Sequence, residues 1–194
     1  MLSADARLFL WINSLAGKIP FFDWLMMRLV NDYFVPVTLS LVLVALWFWS
    51  KETSERENDQ KAVLCAMIGV GIASLVVQAI NWYYFRARPF TQYEVVNLLF
   101  YRPTDSSFPS NPAAVGFAFA TGVWLRNRRA GTLLYCLAAP YAFARVYTGV
   151  CYPLDVIGGA AIGAAISYVI YWILRLIEPL PTLVIKVVRL FYLA

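Results

Sequence analysis

The chain has 194 residues, of which 61% are hydrophobic and only 14% charged; it carries a formal net charge of +5 and not one histidine. A soluble domain of this size needs many more charged residues to cover its surface, so the composition excludes one and points to an integral membrane protein. Without imidazole, and with three cysteines that share no metal-ligand spacing, neither a zinc or iron site nor a cofactor is expected.

Residues 4–16 and 20–32 are predicted as two short amphipathic helices separated by Gly17-Lys18-Ile19-Pro20. They either lie in the membrane interface or form a first spanning or re-entrant element. No cleavable signal peptide is expected, because residues 1–10 lack a basic start and Asp5 and Arg7 interrupt the apolar stretch. Apolar runs follow near 34–50, 61–83, 112–125, 131–147 and 156–176. They approach the ~20 residues a spanning helix needs, the shorter ones drawing on flanking residues. Trp24, Trp47, Trp49, Trp82, Trp124 and Trp172 fall near run ends, as interfacial aromatic belts do. Lys51, Arg56 and Lys61 form one basic cluster between runs, and Arg126, Arg128 and Arg129 another. Both read as cytoplasmic loops under the positive-inside rule, so the positive charge faces the bilayer rather than a nucleic acid. Cys65 and Cys136 read as small buried hydrophobes. Gly158 to Ala165 forms a small-residue face for close helix approach. The expected fold is all-α: one polytopic bundle over 1–194 with about five to six spans, amphipathic N-terminal helices, and an amphipathic tail over 177–194 that includes Lys186 and Arg189.

Three fragments carry the chemistry. They are Asn81, six residues, then Arg88-Pro89; Pro109-Ser110-Asn111-Pro112; and Ala144-Arg145, five residues, Cys151, three residues, Asp155. The alternation of spans puts all three on one side of the membrane, opposite the basic loops. The segment 90–110 between the first two is long for a compact bundle, which marks it as functional or disordered.

Together these fragments resemble the type 2 phosphatidic acid phosphatase superfamily, in its bacterial membrane branch of undecaprenyl-diphosphatase-like proteins, related in its core to vanadium haloperoxidases. That family's pattern is Lys, six residues, Arg-Pro; Pro-Ser-Gly-His; and Ser-Arg, five residues, His, three residues, Asp. Val146-Tyr147-Thr148-Gly149 and Tyr152-Pro153-Leu154-Asp155-Val156 are similar too, and the likeness spans about residues 5–175. The resemblance implies a site at the outer face of the plasma (inner) membrane, acting on the phosphate or diphosphate of a lipid such as an isoprenoid carrier or phosphatidate. It also implies a leaving-group acid at position 112 and a nucleophile at 151 oriented by Asp155.

The substitutions divide these roles. Arg88 and Arg145 can grip phosphate oxygens through charge-assisted hydrogen bonds. Ser110 offers a hydroxyl and Asn111 an amide, Asn81 keeps hydrogen bonding without the charge, and Pro112 suits the first residue of a helix whose free amides favour an anion. Pro112 has no proton to give, a loss of typically ~10²–10⁴-fold. Cys151 is either an inert small residue or a nucleophile. Asp155, four residues on, would raise its thiol pKa and is expected to pair with Arg145 or cap the last helix. Arg86 and Arg102 are expected to face solvent or headgroups. The sequence thus reads as a phosphatase-fold membrane protein that binds a phosphorylated lipid without ordinary phosphatase catalysis, as a binder, transporter, flippase or regulator. The alternative is a divergent lipid phosphatase or phosphotransferase with Cys151 as nucleophile.

Overall fold

The computed structural model describes residues 3–49 and 52–190, which form helices and connecting loops without a strand. In chain order the helices are α1 (Ala4–Asn13), α2 (Pro20–Leu29), α3 (Phe34–Trp49), α4 (Thr53–Tyr83), α5 (Pro89–Gln92), α6 (Asn111–Trp124), α7 (Arg128–Tyr147), α8 (Pro153–Leu176) and α9 (Leu180–Leu190). Lys51 of the first basic cluster and the last four residues of the tail lie outside the described residues.

Local chemistry explains most of the boundaries. The Ser3 side chain accepts the Ala6 amide to start α1, and Asn127 does the same for Ala130 at α7. Pro20 and Pro153 open α2 and α8, where a missing N–H costs nothing. α4 begins eight residues before the predicted apolar run. The expected charged loop is its first two turns, tied by a Glu57–Lys61 pair one turn apart at 2.8 Å. Arg56 and Lys61 therefore sit on a helix rather than in a loop.

By length and composition α4 and α8 are long and apolar enough to cross a bilayer, and α2 with α3, bent by 57° at their junction, make a third such element. The predicted five to six spans also count α6 and α7, which this criterion does not reach. α6 has 14 residues, about 21 Å of rise against a ~30 Å hydrocarbon core. It is instead the hub of the bundle, packed on by α4, α7 and α8 with Ala113, Ala114, Gly116, Ala118 and Ala120 all buried. The small-residue face of α8 packs closely, as expected: a Cβ on Gly159 would lie 2.2 Å from the Ser110 carbonyl oxygen.

The main core joins α3, α4, α6 and α7 through Val35, Leu39, Val63, Phe119, Val123, Leu134 and Tyr141. At the site end α1 packs Phe9 on Val146 and Tyr152, and α2 packs Met26 and Val30 on Ala144 and Tyr147. The outward faces of α3, α4 and α8 stay greasy, with Leu41, Met67, Leu75, Val169 and Ile173 exposed, as bilayer-facing surfaces must be. The chain is an all-α integral membrane protein. Cys65 is buried as expected, but Cys136 is exposed on α7, because the helix turns that side outward.

Candidate active site

The end of α4 releases the chain into an extended stretch that carries Arg86 and Arg88 to the mouth of the bundle. α7 brings Arg145 up within one turn of its C-terminus. Gly149 then takes φ +87°, a left-handed value that only glycine adopts freely, and the reversal turns Cys151 back toward the arginines. Between these elements lies a cavity of about 170 Å³, lined by Arg88, Ser110, Asn111, Pro112, Arg145 and Cys151 together with Asp32, Tyr101 and Asp105. It falls below the roughly 300 Å³ of a drug-sized pocket, so it has room for a headgroup and not for a lipid tail.

Five of the predicted site residues meet here: Arg88, Ser110, Asn111, Arg145 and Cys151. Asn81 does not line the cavity; it sits on the last turns of α4 with its amide oxygen buried and without a partner. Arg88 is 7% exposed and heavily engaged. Its Nε donates to the Asp105 carbonyl (3.0 Å), Nη1 to the Val150 carbonyl (3.1 Å) and the Cys151 Sγ (3.5 Å), and Nη2 to the Asp105 carboxylate (2.8 Å) and the Ser106 carbonyl (3.3 Å). Arg145, 3% exposed, pairs its Nη2 with the Asp32 carboxylate and lies over the Phe100 ring, while its Nε has no partner.

Ser110 precedes α6 as its cap residue, yet its hydroxyl caps nothing: Oγ is buried without a hydrogen bond, and the backbone N–H bonds the Asp155 carbonyl at 3.0 Å. Asn111 is the first helical residue and Pro112 the second, one place later than the sequence suggested. Ser110 and Arg145, each with a buried polar atom that has no partner, thus line one small cavity beside a helix start, an arrangement suited to an anion.

Cys151 is 2% exposed. Burial pushes its thiol above the usual range; Arg88 and Arg145 pull it back, and Asp155 adds a smaller upward push. The aspartate raises the thiol as expected, but burial is the larger cause. Asp155 is not paired with Arg145 either. Its carboxylate accepts from Arg86 and from the Ser107 hydroxyl, and it caps α8 through the Tyr152 amide at 3.0 Å. Arg86, expected to face solvent or headgroups, instead bridges Asp155 and Asp5 (2.7 Å to the latter) and lies 4.2 Å over the Tyr152 ring. The cause is electrostatic: two acids at 5% and 0% side-chain exposure demand a cation.

Among the lining residues outside the predicted motifs, three bear on the arginines. Asp32 sits in the α2–α3 junction, Tyr101 donates its hydroxyl to Asp32 at 2.6 Å, and Asp105 holds Arg88. The hydrogen bond to Asp32, ahead of burial, pushes the Tyr101 phenol up to about 12. The available signal was an acid interrupting an apolar stretch at Asp32, which by default marks function in a membrane segment.

The family model described as PAP2 superfamily matches residues 61–178. The chain is 31% identical over 162 residues to undecaprenyl-diphosphatase BcrC of Bacillus subtilis strain 168, covering 83% of this chain and 80% of that protein. It is 32% identical over 171 residues to the putative undecaprenyl-diphosphatase YbjG of Escherichia coli K12, covering 87% and 82%. The crystal structure of Aquifex aeolicus LpxE shares the fold at TM-score 0.70 and 24% identity, over 88% of this chain and 96% of that one. The reading of the chain as a non-catalytic binder, transporter, flippase or regulator is corrected by these likenesses, since relatives similar along most of their length bear the names of diphosphatases. That reading weighed the loss of two imidazoles most heavily, whereas the cavity still holds a cysteine sulfur beside two arginines. Helical bundle, phosphate-motif spacing and matched relatives agree, and the chain belongs to the PAP2 superfamily.

Proposed function

We propose that the chain is a lipid phosphatase that removes the terminal phosphate from a lipid diphosphate of the isoprenoid-carrier class, with Cys151 as the nucleophile. The observation that carries this reading is the Cys151 sulfur, 3.5 Å from the Arg88 guanidinium in a cavity it shares with Arg145 and the unpartnered Ser110 hydroxyl. The diphosphatase names of the matched relatives support the substrate class.

The lost acid at position 112 chooses among substrates. Cleaving a lipid monophosphate expels an alkoxide, which needs a proton from a positioned acid. Cleaving a lipid diphosphate expels a lipid phosphate, whose own last proton is lost near pH 6, so it departs without an acid. In the first step the Cys151 sulfur bonds to the terminal phosphorus as the bond to the bridging oxygen breaks. The Cys151 thiol gives its proton to solvent before the attack, and the electron pair of the broken bond leaves on the lipid phosphate. Arg88 and Arg145 balance the charge on the transferring phosphoryl oxygens, Ser110 donates to one of them, and Asn111 meets another. Water then attacks the phosphocysteine, releasing inorganic phosphate and regenerating the thiol. The site faces the extracytoplasmic side of the plasma membrane in this proposal, with the Arg126, Arg128 and Arg129 end in the cytoplasm.

The test is phosphate release from farnesyl diphosphate and from farnesyl monophosphate by the detergent-solubilised protein, beside Cys151→Ser. Release from the diphosphate should exceed that from the monophosphate by ~10²-fold or more, with a phosphocysteine trapped at 151 by rapid acid quench and mass spectrometry. Unchanged turnover in Cys151→Ser removes the nucleophile, and no release above background from the folded wild type removes the phosphatase.

A further inference from the structure

Hydrolysis of a phosphocysteine calls for a group that the three motifs do not supply. Water becomes a competent nucleophile when a positioned base takes its proton as it attacks. The chain has no histidine, and of the residues lining the cavity only Asp32 and Asp105 carry a carboxylate. Asp32 has both oxygens engaged, one by Arg145 and the other by the Tyr101 hydroxyl at 2.6 Å. Asp105 gives one oxygen to Arg88 at 2.8 Å, and its other oxygen has no hydrogen-bond partner among the described residues. The side chain is 65% exposed, so water reaches that oxygen.

The loop that bears Asp105 is fixed against the stretch that bears Arg88. Arg88 donates to the Asp105 and Ser106 carbonyls (3.0 and 3.3 Å), the Arg86 amide to the Ser106 hydroxyl (3.0 Å), and the Ser107 amide to the Arg86 carbonyl (2.9 Å). Cys151 and Asp105 then meet one planar guanidinium at its two ends, the sulfur 3.5 Å from Nη1 and the carboxylate 2.8 Å from Nη2. Cys151, 2% exposed, forms the floor of the cavity, and Asp105 stands at its open side. A line from the sulfur to the carboxylate therefore runs outward along Arg88, and a phosphoryl group on the sulfur followed by one water fills it. Arg88 lies beside both anions and offsets their repulsion.

We infer that Asp105 is a catalytic residue of the second step, the general base that takes the proton of the water attacking the phosphocysteine at Cys151. The oxygen of that water bonds to phosphorus as the phosphorus–sulfur bond breaks. The electron pair of the broken bond returns to sulfur as the thiolate, and the proton of the water goes to Asp105. Asp105 then passes the proton through water to the thiolate, which restores both groups and leaves inorganic phosphate. The first step, expelling a lipid phosphate, calls on no proton donor, so Asp105 meets the second as a carboxylate.

The inference rests on the proposed reading of Cys151 as the nucleophile of a lipid diphosphatase. Farnesyl diphosphate is mixed with the detergent-solubilised full chain in a rapid-quench instrument, and farnesyl phosphate, inorganic phosphate and phosphocysteine are followed separately. Asp105→Asn keeps an oxygen for Arg88 and loses the base. It should release a burst of one farnesyl phosphate per protein and then stall as phosphocysteine, with phosphate release down on the order of 10²-fold. Asp105→Glu, which retains a carboxylate, should drain the phosphocysteine again. Asp105→Ser reads the same burst if Asp105→Asn does not fold. Both products slowed together without accumulated phosphocysteine, or release left unchanged, overturns the base and leaves Asp105 as a holder of Arg88. Wild-type release that survives Cys151→Ser overturns the nucleophile, and no wild-type release overturns the phosphatase reading; the inference falls with either.

Discussion

Replacing Arg86 by methionine tests the charge network behind the cavity. The side chain is a quarter exposed, and it is the cation shared by Asp5 and Asp155, whose side chains are 5% and 0% exposed. Removing one partner from a buried ion pair costs ~3–5 kcal/mol, because the other charge is left without compensation. Two features favour the lower end. Asp155 keeps the Ser107 hydroxyl and the Tyr152 amide, and Asp5 keeps the Leu154 amide at 3.0 Å. The expected loss is thus ~3 kcal/mol, or about a hundredfold in the unfolding equilibrium. Tryptophan fluorescence during SDS titration of the micellar protein would read it for wild type, Arg86→Met, Asp5→Asn and the double variant. The double variant has one orphan carboxylate fewer, so it should recover ~1 kcal/mol or more relative to the sum of the singles. A loss under ~1 kcal/mol in Arg86→Met, or strict additivity in the cycle, would refute the network as described.

Three further outcomes are expected. Burial holds the Cys151 thiol above the ordinary range and only the thiolate attacks, so turnover should climb with pH and still be rising at about pH 9; a plateau below neutral pH would contradict this. Ser110→Ala removes a buried hydroxyl that no protein group satisfies, so thermal stability should hold within ~0.5 kcal/mol while KM for the lipid diphosphate rises about tenfold. Gly159→Ala would drive a methyl to 2.2 Å from the Ser110 carbonyl, forcing α8 away from α6 at a cost of ~1–3 kcal/mol and lowering turnover at unchanged protein concentration.

The sequence made the helices legible where an apolar run and a cap coincide. α3 and α8 fall within three residues of their predicted limits because Pro153 and the run itself mark them. α4 was mis-started because hydropathy cannot see a helix whose first turns are charged and held by Glu57 and Lys61. Motif spacing identified Arg88, Ser110, Asn111, Arg145 and Cys151 as neighbours, since each lies at the end of an element on the same side of the bundle. The partners of those residues were illegible. Asp32 and Arg145 are 113 positions apart, and Arg86 and Asp5 81 apart, and no local pattern encodes which buried acid answers which cation. Of the two roles expected for Asp155, the cap of α8 is present through the Tyr152 amide, while its cation is Arg86 rather than Arg145.

The wiring of these charges also orders the birth of the protein. Asp5, Asp32, Arg86 and Arg88 are synthesised long before Arg145 and Asp155, so a nascent chain that has emerged only as far as α7 carries Arg86 with one of its two carboxylate partners. Segments fold from the N-terminus as they emerge, and α8 delivers both Asp155 and the glycine face that closes on α6. A chain that stops before residue 155 therefore holds Arg86 on Asp5 alone, with α6 lacking the glycine face that packs on it.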